Sequence, residues 1–343
     1  MRTAVLLGNR DTKRTIYFEK AARQTGLPFL FLEWDAWRSQ GLPEGAELFV
    51  KIDPPVWESA HISEMDKLVE GYRDDLAVLE ASRSACFLNP PHHITALLDK
   101  RLCKDTLKGA GLAITEALTG PVADAASLLS CMEAERVFQV FIKPAFGSGA
   151  AGVTAFRWQP KTGRMAAYSC ALLQPGGPDP GLVNTKKLRS FTDPREILPL
   201  LDQLLKLPCV VERWYPKADY QGYSYDLRAV CQYGDVDFLL ARLSKGPVTN
   251  LHLNNHPLEA AKLNLPDRVL RDIGELCGRA AGCYPGLRSV GIDILLERGS
   301  LRPRIIEMNG QGDLLYQDIY SDNKIYSHQA DMMKAWLEHG GKI

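Results

Sequence analysis

The stretch from Val290 to Asp313, VGIDILLERGSLRPRIIEMNGQGD, constrains this chain more than any other. It predicts two β-branched-rich strands joined by a turn at Arg298-Gly299-Ser300, with acids and an amide standing where apolar residues would be expected. Side chains alternate along a strand, so Glu307 and Asn309 share a face, and a hairpin centred near Ser300 puts Asp293 directly across from Glu307. Two opposed carboxylates repel each other, and burying them unpaired is costly, so the arrangement asks for a cation. The all-oxygen set of Asp293, Glu307 and Asn309 suits magnesium; zinc would draw on His or Cys, and none stands nearby. The competing reading is a hairpin with one wet face whose acids only solubilise it.

The rest of the chain has room for an enzyme around that hairpin. Its 343 residues allow two or three domains, with the apolar and charged fractions of an ordinary globular protein. Lys plus Arg (41) equals Asp plus Glu (41), so nothing recommends nucleic acid or an anionic membrane as a partner. Eight cysteines are scattered without a CxxC pair, as expected of reduced thiols in a cytoplasm. The N-terminal MRTAVLLGNRDTKR carries only a short apolar run before its charges and reads as a first strand, not a signal peptide. No apolar run approaches transmembrane length.

Read in order, residues 4–7, 29–33, 48–52 and 86–88 predict strands, and residues 15–25 and 64–82 predict helices between them. This alternation implies a small doubly wound parallel sheet over residues 1–97. Loops at the strand ends of such a sheet commonly face a ligand cleft, which makes Arg10, Lys51, His92 and His93 candidate substrate contacts. A helix over 99–108 with Asp99 as N-cap, a helix over 123–135 and a strand over 137–142 follow. That strand leads into Lys143-Pro144-Ala145-Phe146-Gly147-Ser148-Gly149-Ala150-Ala151-Gly152-Val153. A lysine before a run of small residues supplies what phosphate needs, a positive charge and backbone N–H groups that bulky side chains do not obstruct. GxxxxGK[ST] is absent, so a glycine-rich hairpin describes it better than a phosphate loop before a helix; the competing reading is a flexible turn without ligand. Residues 159–187, rich in Pro and Gly, predict a mobile excursion. A helix from Pro194 to residue 207, a strand over 209–211 into Glu212-Arg213-Trp214-Tyr215, two strands around Tyr233-Gly234-Asp235, a loop at Thr249–His252, a helix over 267–281 and a short last helix over 332–339 complete the chain.

Taken together, Asp99-Lys100, Ile142-Lys143-Pro144 with its glycine hairpin, Glu212 at a strand end, Asp226-Leu227-Arg228, Arg242, Asn250-Leu251-His252, Asp293 and Glu307-x-Asn309 resemble the ATP-grasp superfamily over roughly residues 98–313. The runs DLRAV, ARLSKG, TNLH, VGIDIL and IEMN look most like the ribosomal-protein glutamate ligases and the related lysine-biosynthesis ligases. The resemblance implies an ATP-grasp fold of two α+β halves, 98–211 and 212–343, behind the α/β domain of residues 1–97. It implies ATP with Mg2+, or Mn2+ in its place, and an ADP-forming carboxylate–amine ligase working through an acyl phosphate. Lys100 and Lys143 would meet the phosphates, with Gly147, Ser148 and Gly149 closing over them and Asn250 in the facing loop. Glu212, Arg213, Trp214 and Tyr215 would hold adenine through backbone groups, and Asp226 would lie near the ribose or hinge. Asp293, Glu307 and Asn309 would carry the metal. Arg242, with Arg228, would stabilise the acyl phosphate and the species formed when an amine attacks it; the competing reading pairs Arg242 with a surface acid such as Asp237.

This chain departs from those ligases where a substrate would be gripped. Val248 takes the place of an arginine two residues before Asn250, residues 216–225 form a longer segment, and Gly310-Gln311-Gly312-Asp313 replaces Ser-Pro-Gly. The expected partners are therefore a small acid or peptide carboxylate and an amine, with modification of a protein or ribosomal peptide, or a non-catalytic ATP-binding scaffold, as alternatives.

Overall fold

The computed structural model describes residues 2–56, 61–147, 149–174, 181–253, 255–311 and 322–341, the side chain of residue 186 excepted. The first unit comprises β1 (Arg2–Gly8), α1 (Lys13–Thr25), β2 (Phe29–Glu33), α2 (Trp34–Gln40), β3 (Glu47–Ile52), α3 (Met65–Glu80), β4 (Ala85–Phe87) and α4 (Pro91–Leu98). Its sheet has the order β2-β1-β3-β4, all parallel. Residues 4–7 of β1 are fully buried, as a strand covered on both faces must be. Ala4 and Leu6 pack toward α1, while Val5 and Leu7 pack toward α2 and α3 around Trp34, Trp37 and Tyr72. Neither α2 nor α4 was expected from the sequence. Asn89-Pro90-Pro91 follows β4, and Pro91 starts α4, where a missing N–H costs nothing.

The second unit contains α5 (Lys100–Gly109), α6 (Ala125–Ala134), β5 (Gln139–Pro144), β6 (Thr154–Gln159), β7 (Arg164–Leu173), β8 (Leu182–Phe191), α7 (Pro194–Leu205) and β9 (Cys209–Arg213). Its antiparallel sheet runs β8-β7-β6-β5-β9, with α6 and α7 packed on one face. The excursion expected over 159–187 is a correction, because β7 and β8 are two long strands of this sheet. The buried part of β7 is Ala166, Ala167, Ser169, Cys170 and Ala171, and small residues carry neither a β-branched signature nor a visible alternation. Residues 175–180 of the excursion lie outside the described residues.

The third unit comprises β10 (Asp219–Tyr220), β11 (Tyr223–Gln232), β12 (Asp235–Ser244), β13 (His256–Glu259), α8 (Asp267–Gly282), β14 (Ser289–Leu296), β15 (Pro303–Asn309) and α9 (Lys324–Glu338). Its sheet has the order β13-β12-β11-β14-β15, with β10 paired to β11. Leu227, Ala229, Ala241, Ile292, Ile294 and Ile305 turn one face onto α8, and the other face is free to carry polar groups. Two helices pack away from the segment that holds them in sequence. Cys103 and Leu107 of α5 enter the core beneath this third sheet. Tyr326, Ala330, Met333 and Trp336 of α9 enter the core of the first unit. The last helix also begins eight residues earlier than the sequence predicts, since Gln329 stands on its buried face and interrupts the apolar stripe. All eight cysteines are free, and among the described residues no helix is long and apolar enough to cross a membrane.

Candidate active site

The wall built by the second unit begins where β5 ends. Gly147 has φ 112°, and Gly149, Ala150 and Gly152 have φ of 67°, 65° and 69°. Left-handed backbone at Gly149, Ala150 and Gly152 suits a loop that turns N–H groups toward an anion without bulky side chains in the way. At Gly152 only glycine fits, since a Cβ there would come within 2.7 Å of Pro144 Cγ. Lys100 Nζ donates to the carbonyl of Gly147 at 2.8 Å, which fixes the α5 N-terminus to this loop. Among the described residues Lys100 has no carboxylate partner, so its charge is left for an external anion. Ser148 lies outside the described residues.

Behind the loop, Glu212 is buried between two lysines. Its Oε2 accepts from Lys143 Nζ at 2.9 Å and from Thr115 Oγ1 at 2.7 Å, and Lys104 Nζ stands 3.1 Å from Oε1. Burial pushes the Glu212 carboxyl up, but Lys104 and Lys143 outweigh it and hold the group below the usual carboxylate range. Burial also lowers the Lys104 ammonium below its ordinary value. Lys143 is thus half of a buried ion pair as well as a wall of the cleft. The backbone N–H groups of Arg213 and Trp214 are already given to the carbonyls of Glu116 (2.8 Å) and Gln139 (3.0 Å). Those two donors are spent within the chain, so the expected adenine contact through the backbone of residues 212–215 cannot use them. Tyr215 lines the cleft, its ring covered by the Arg304 guanidinium 4.4 Å from the centroid.

The third unit supplies the floor, and the strand register writes it. Arg242 on β12 faces Asp226 on β11, Arg228 on β11 faces Asp293 on β14, and Asp293 faces Glu307 on β15. Arg242 Nε donates to Asp226 Oδ1 at 2.7 Å, while its Nη2 lies 3.0 Å from Asp293 Oδ2. Arg228 Nε donates to the other oxygen of Asp293. Lys217 Nζ reaches Thr249 Oγ1 at 2.7 Å and Asp226 Oδ2 at 3.3 Å, and the Thr249 hydroxyl donates to Asp226 as well. Burial pushes the Asp226 and Asp293 carboxyls up, but the guanidinium of Arg242 at Asp226, and those of Arg228 and Arg242 at Asp293, hold both below the usual range. Burial opposes charge on Arg242 too, and Asp226 and Asp293 raise it further than burial lowers it. The reading of Arg242 as a partner of Asp237 fails, since Asp237 takes Lys324, His328 and Gln232.

The opposed carboxylates therefore find a cation within the chain, which corrects part of the case for metal: two guanidinium groups already neutralise Asp293. Glu307 has no ion pair among the described residues, and the buried Asn309 Nδ2 has no hydrogen-bond partner. An unpaired carboxylate beside an orphaned amide is a donor set that an external group completes, since an amide can offer oxygen to a cation and N–H to an oxyanion. Among the described residues no three His, Cys, Asp or Glu side chains cluster as a metal site; this set has two acids and one amide. Its oxygen chemistry fits magnesium.

One cleft of about 790 Å³, counting space open to solvent, brings these groups together. It is lined by Lys100, Lys143, Gly147, Gly149, Glu212, Arg213, Tyr215, Asp226, Arg242, Asn250, Asp293 and Glu307. Arg228 and Asn309 are not among the residues that line it, and Trp214 borders a neighbouring groove with Arg157 and Tyr168. Arg10, Lys51, His92 and His93 are not brought there. Lys51 is buried against Asp53, Arg10 pairs with Glu33, His92 pairs with Glu80, and His93 bonds the carbonyl of Pro285. Sequence reasoning missed Thr115, Lys217 and Thr249, whose signals are tertiary. It also passed over Lys104, although that residue sits one helical turn from Lys100.

No family model and no curated protein matches the sequence. Solved structures do match the fold. The ATP-grasp ligase PsnB, complexed with a phosphomimetic variant of a minimal precursor, Mg and ADP, aligns over 98% of this chain and 97% of its own with TM-score 0.59 at 15% identity. The D-cycloserine synthetase DcsG aligns over 96% and 99% with TM-score 0.61 at 12% identity. The macrocyclase MdnC from Microcystis aeruginosa MRC, bound with the precursor peptide MdnA, aligns over 97% and 99% with TM-score 0.59 at 16% identity. At such identities the fold is what is shared, and it is the ATP-grasp fold.

Proposed function

We propose, from the premise of an ATP-grasp fold, that this chain is an ADP-forming carboxylate–amine ligase using ATP and Mg2+. The observation that carries the reading is one cleft with opposed walls, where Lys100 and the left-handed loop 147–152 face Arg242, Asp293 and Glu307. In this reading the loop and Lys100 bind the ATP phosphates, Tyr215 meets the base, and Glu307, Asn309 and Asp293 would hold the metal. When bound, that metal would supply charge neutralisation at the phosphates. The substrate carboxylate takes the terminal phosphoryl group and releases ADP; the amine then displaces phosphate from the acyl carbon, forming the amide. Arg242, fixed by its two carboxylates, offers an oriented guanidinium to the charge that develops on the acyl group, so positioning and electrostatics do the catalysis.

The substrate class has two candidates. PsnB and MdnC are described with precursor peptides, which supports a peptide carrying the reacting groups. DcsG is a synthetase of a small molecule on the same fold, which supports a small acid. The test is ADP release with Mg2+ across panels of carboxylates, peptides and amines, with hydroxylamine added to trap the acyl phosphate as a hydroxamate. The expected result is ADP formed only with a carboxylate present. ATP binding without ADP from any pair, or AMP and pyrophosphate as products, would overturn the reading.

A further inference from the structure

Asn89 follows β4 in the first unit and is buried, about two hundred residues in sequence from the β14–β15 hairpin it touches. Its Nδ2 donates to the carbonyls of Ser289 (2.6 Å) and Gly310 (2.5 Å). Its Oδ1 accepts from the N–H groups of Arg288 (3.0 Å) and Ser289 (2.9 Å). All four hydrogen-bonding capacities of one carboxamide are therefore spent on the open end of the β14–β15 hairpin. The last rung of that hairpin is Gly291 opposite Asn309. Asn89 acts as one rung more, supplied by another unit.

Neighbouring contacts point the same way. Gln311, two residues beyond Asn309, accepts from Tyr72 OH at 2.9 Å and donates to the carbonyl of Ile52 at 2.8 Å. Gly310 is pressed against α4, where a Cβ would lie 3.3 Å from Ile94 Cα. The Arg288 guanidinium donates to the carbonyl of Phe87 at 2.8 Å. The ends of β3 and β4 thus grip both strands that carry Asp293, Glu307 and Asn309.

We propose that Asn89 is a positioning residue for the metal-binding hairpin, through which the first unit sets the spacing of Asn309 against Asp293 and Glu307. The proposal rests on the metal-dependent reading above. Asp at this position keeps the shape but loses both donors and sets a carboxylate against two carbonyls, so the hairpin end should splay. Outer partners of metal ligands typically change affinity by about ten- to a hundredfold.

Mn2+ is titrated into ADP-loaded wild-type, Asn89→Asp and Gln311→Ala protein and followed by electron paramagnetic resonance. Metal-free ADP affinity and the unfolding midpoint are measured alongside. Asn89→Asp is expected to bind Mn2+ about tenfold or more weakly with metal-free ADP affinity unchanged. Gln311→Ala, which leaves the four bonds of Asn89 in place, should shift the same way by a smaller factor and carries the test if Asn89→Asp does not fold. Unchanged Mn2+ affinity in the folded variants, or equal losses of Mn2+ and ADP affinity with a lowered midpoint, overturns the positioning role while leaving the ligase reading standing. Wild-type protein that takes up no Mn2+ overturns the metal assignment and this inference with it.

Discussion

Arg242 satisfies two buried carboxylates at once, and that double duty makes its replacement a structural as well as a chemical event. Removing it leaves Asp226 with Lys217 and Thr249, and leaves Asp293 with Arg228. Breaking one partner out of a buried ion-pair network typically costs about 3–5 kcal/mol, since the remaining charges stay desolvated. Arg242→Met should therefore lower stability by about that amount in urea denaturation, and adding Asp226→Asn should recover part of it. Arg242→Lys is the variant that reports on chemistry. One ammonium cannot span Asp226 and Asp293 as the planar fork does, so turnover should fall by about a hundredfold while ATP affinity falls much less. Equal losses in turnover and ATP affinity would reduce Arg242 to a nucleotide contact.

At the scale of elements, the glycine loop carries the more specific expectation. Gly152 sits at φ 69° with Pro144 Cγ where its Cβ would go, so Gly152→Ala adds backbone strain and a clash at the root of the loop. ATP affinity, measured in folded protein, should fall by about tenfold or more, and the same strain should lower the unfolding midpoint. A variant with wild-type ATP affinity would detach the loop from the nucleotide. The same elements show what a sequence makes legible. The hairpin register, Asp293 opposite Glu307, follows from alternation together with a turn centred near Ser300, because acids stand out against Ile and Leu. Strand β7 escaped notice because Ala, Ser and Cys give no contrast between its faces. Asp293 could be singled out from alternation, and Asp226 and Arg242 from the resemblance, but their mutual pairing could not, because it depends on which strands lie side by side: β11 stands between β12 and β14, and only β12 is its neighbour in sequence. Lys217 and Thr249 were beyond reach for the same reason, each being brought to Asp226 from a separate loop.

The whole molecule is threaded more tightly than its order of segments suggests. The β14–β15 hairpin is gripped by the first unit, and the last helix returns to complete that unit. Trp336 on α9 stacks on Phe49 of β3 with ring centres 5.4 Å apart and planes inclined by 19°, and Tyr326 and Met333 are fully buried beside the same sheet. On the first sheet this face is otherwise covered by α1, so α9 supplies much of its apolar cover. Gln329, on the buried side of α9, donates to Ser289 Oγ at 3.0 Å and so ties the helix to the start of β14. Truncating a buried Trp costs about 3–5 kcal/mol, through lost transfer energy and the cavity left behind. Trp336→Ala should lower the stability of the intact chain by about that amount, measured by urea denaturation, although Trp336 stands outside the cleft. Where the fold persists, at low temperature and without denaturant, ATP affinity should remain at its wild-type value, which separates a stability role from a ligand contact. An unchanged unfolding midpoint would mean that α9 is not part of the first core; a loss of ATP affinity in the folded protein would mean that the helix reaches the site through the hairpin it touches at Ser289.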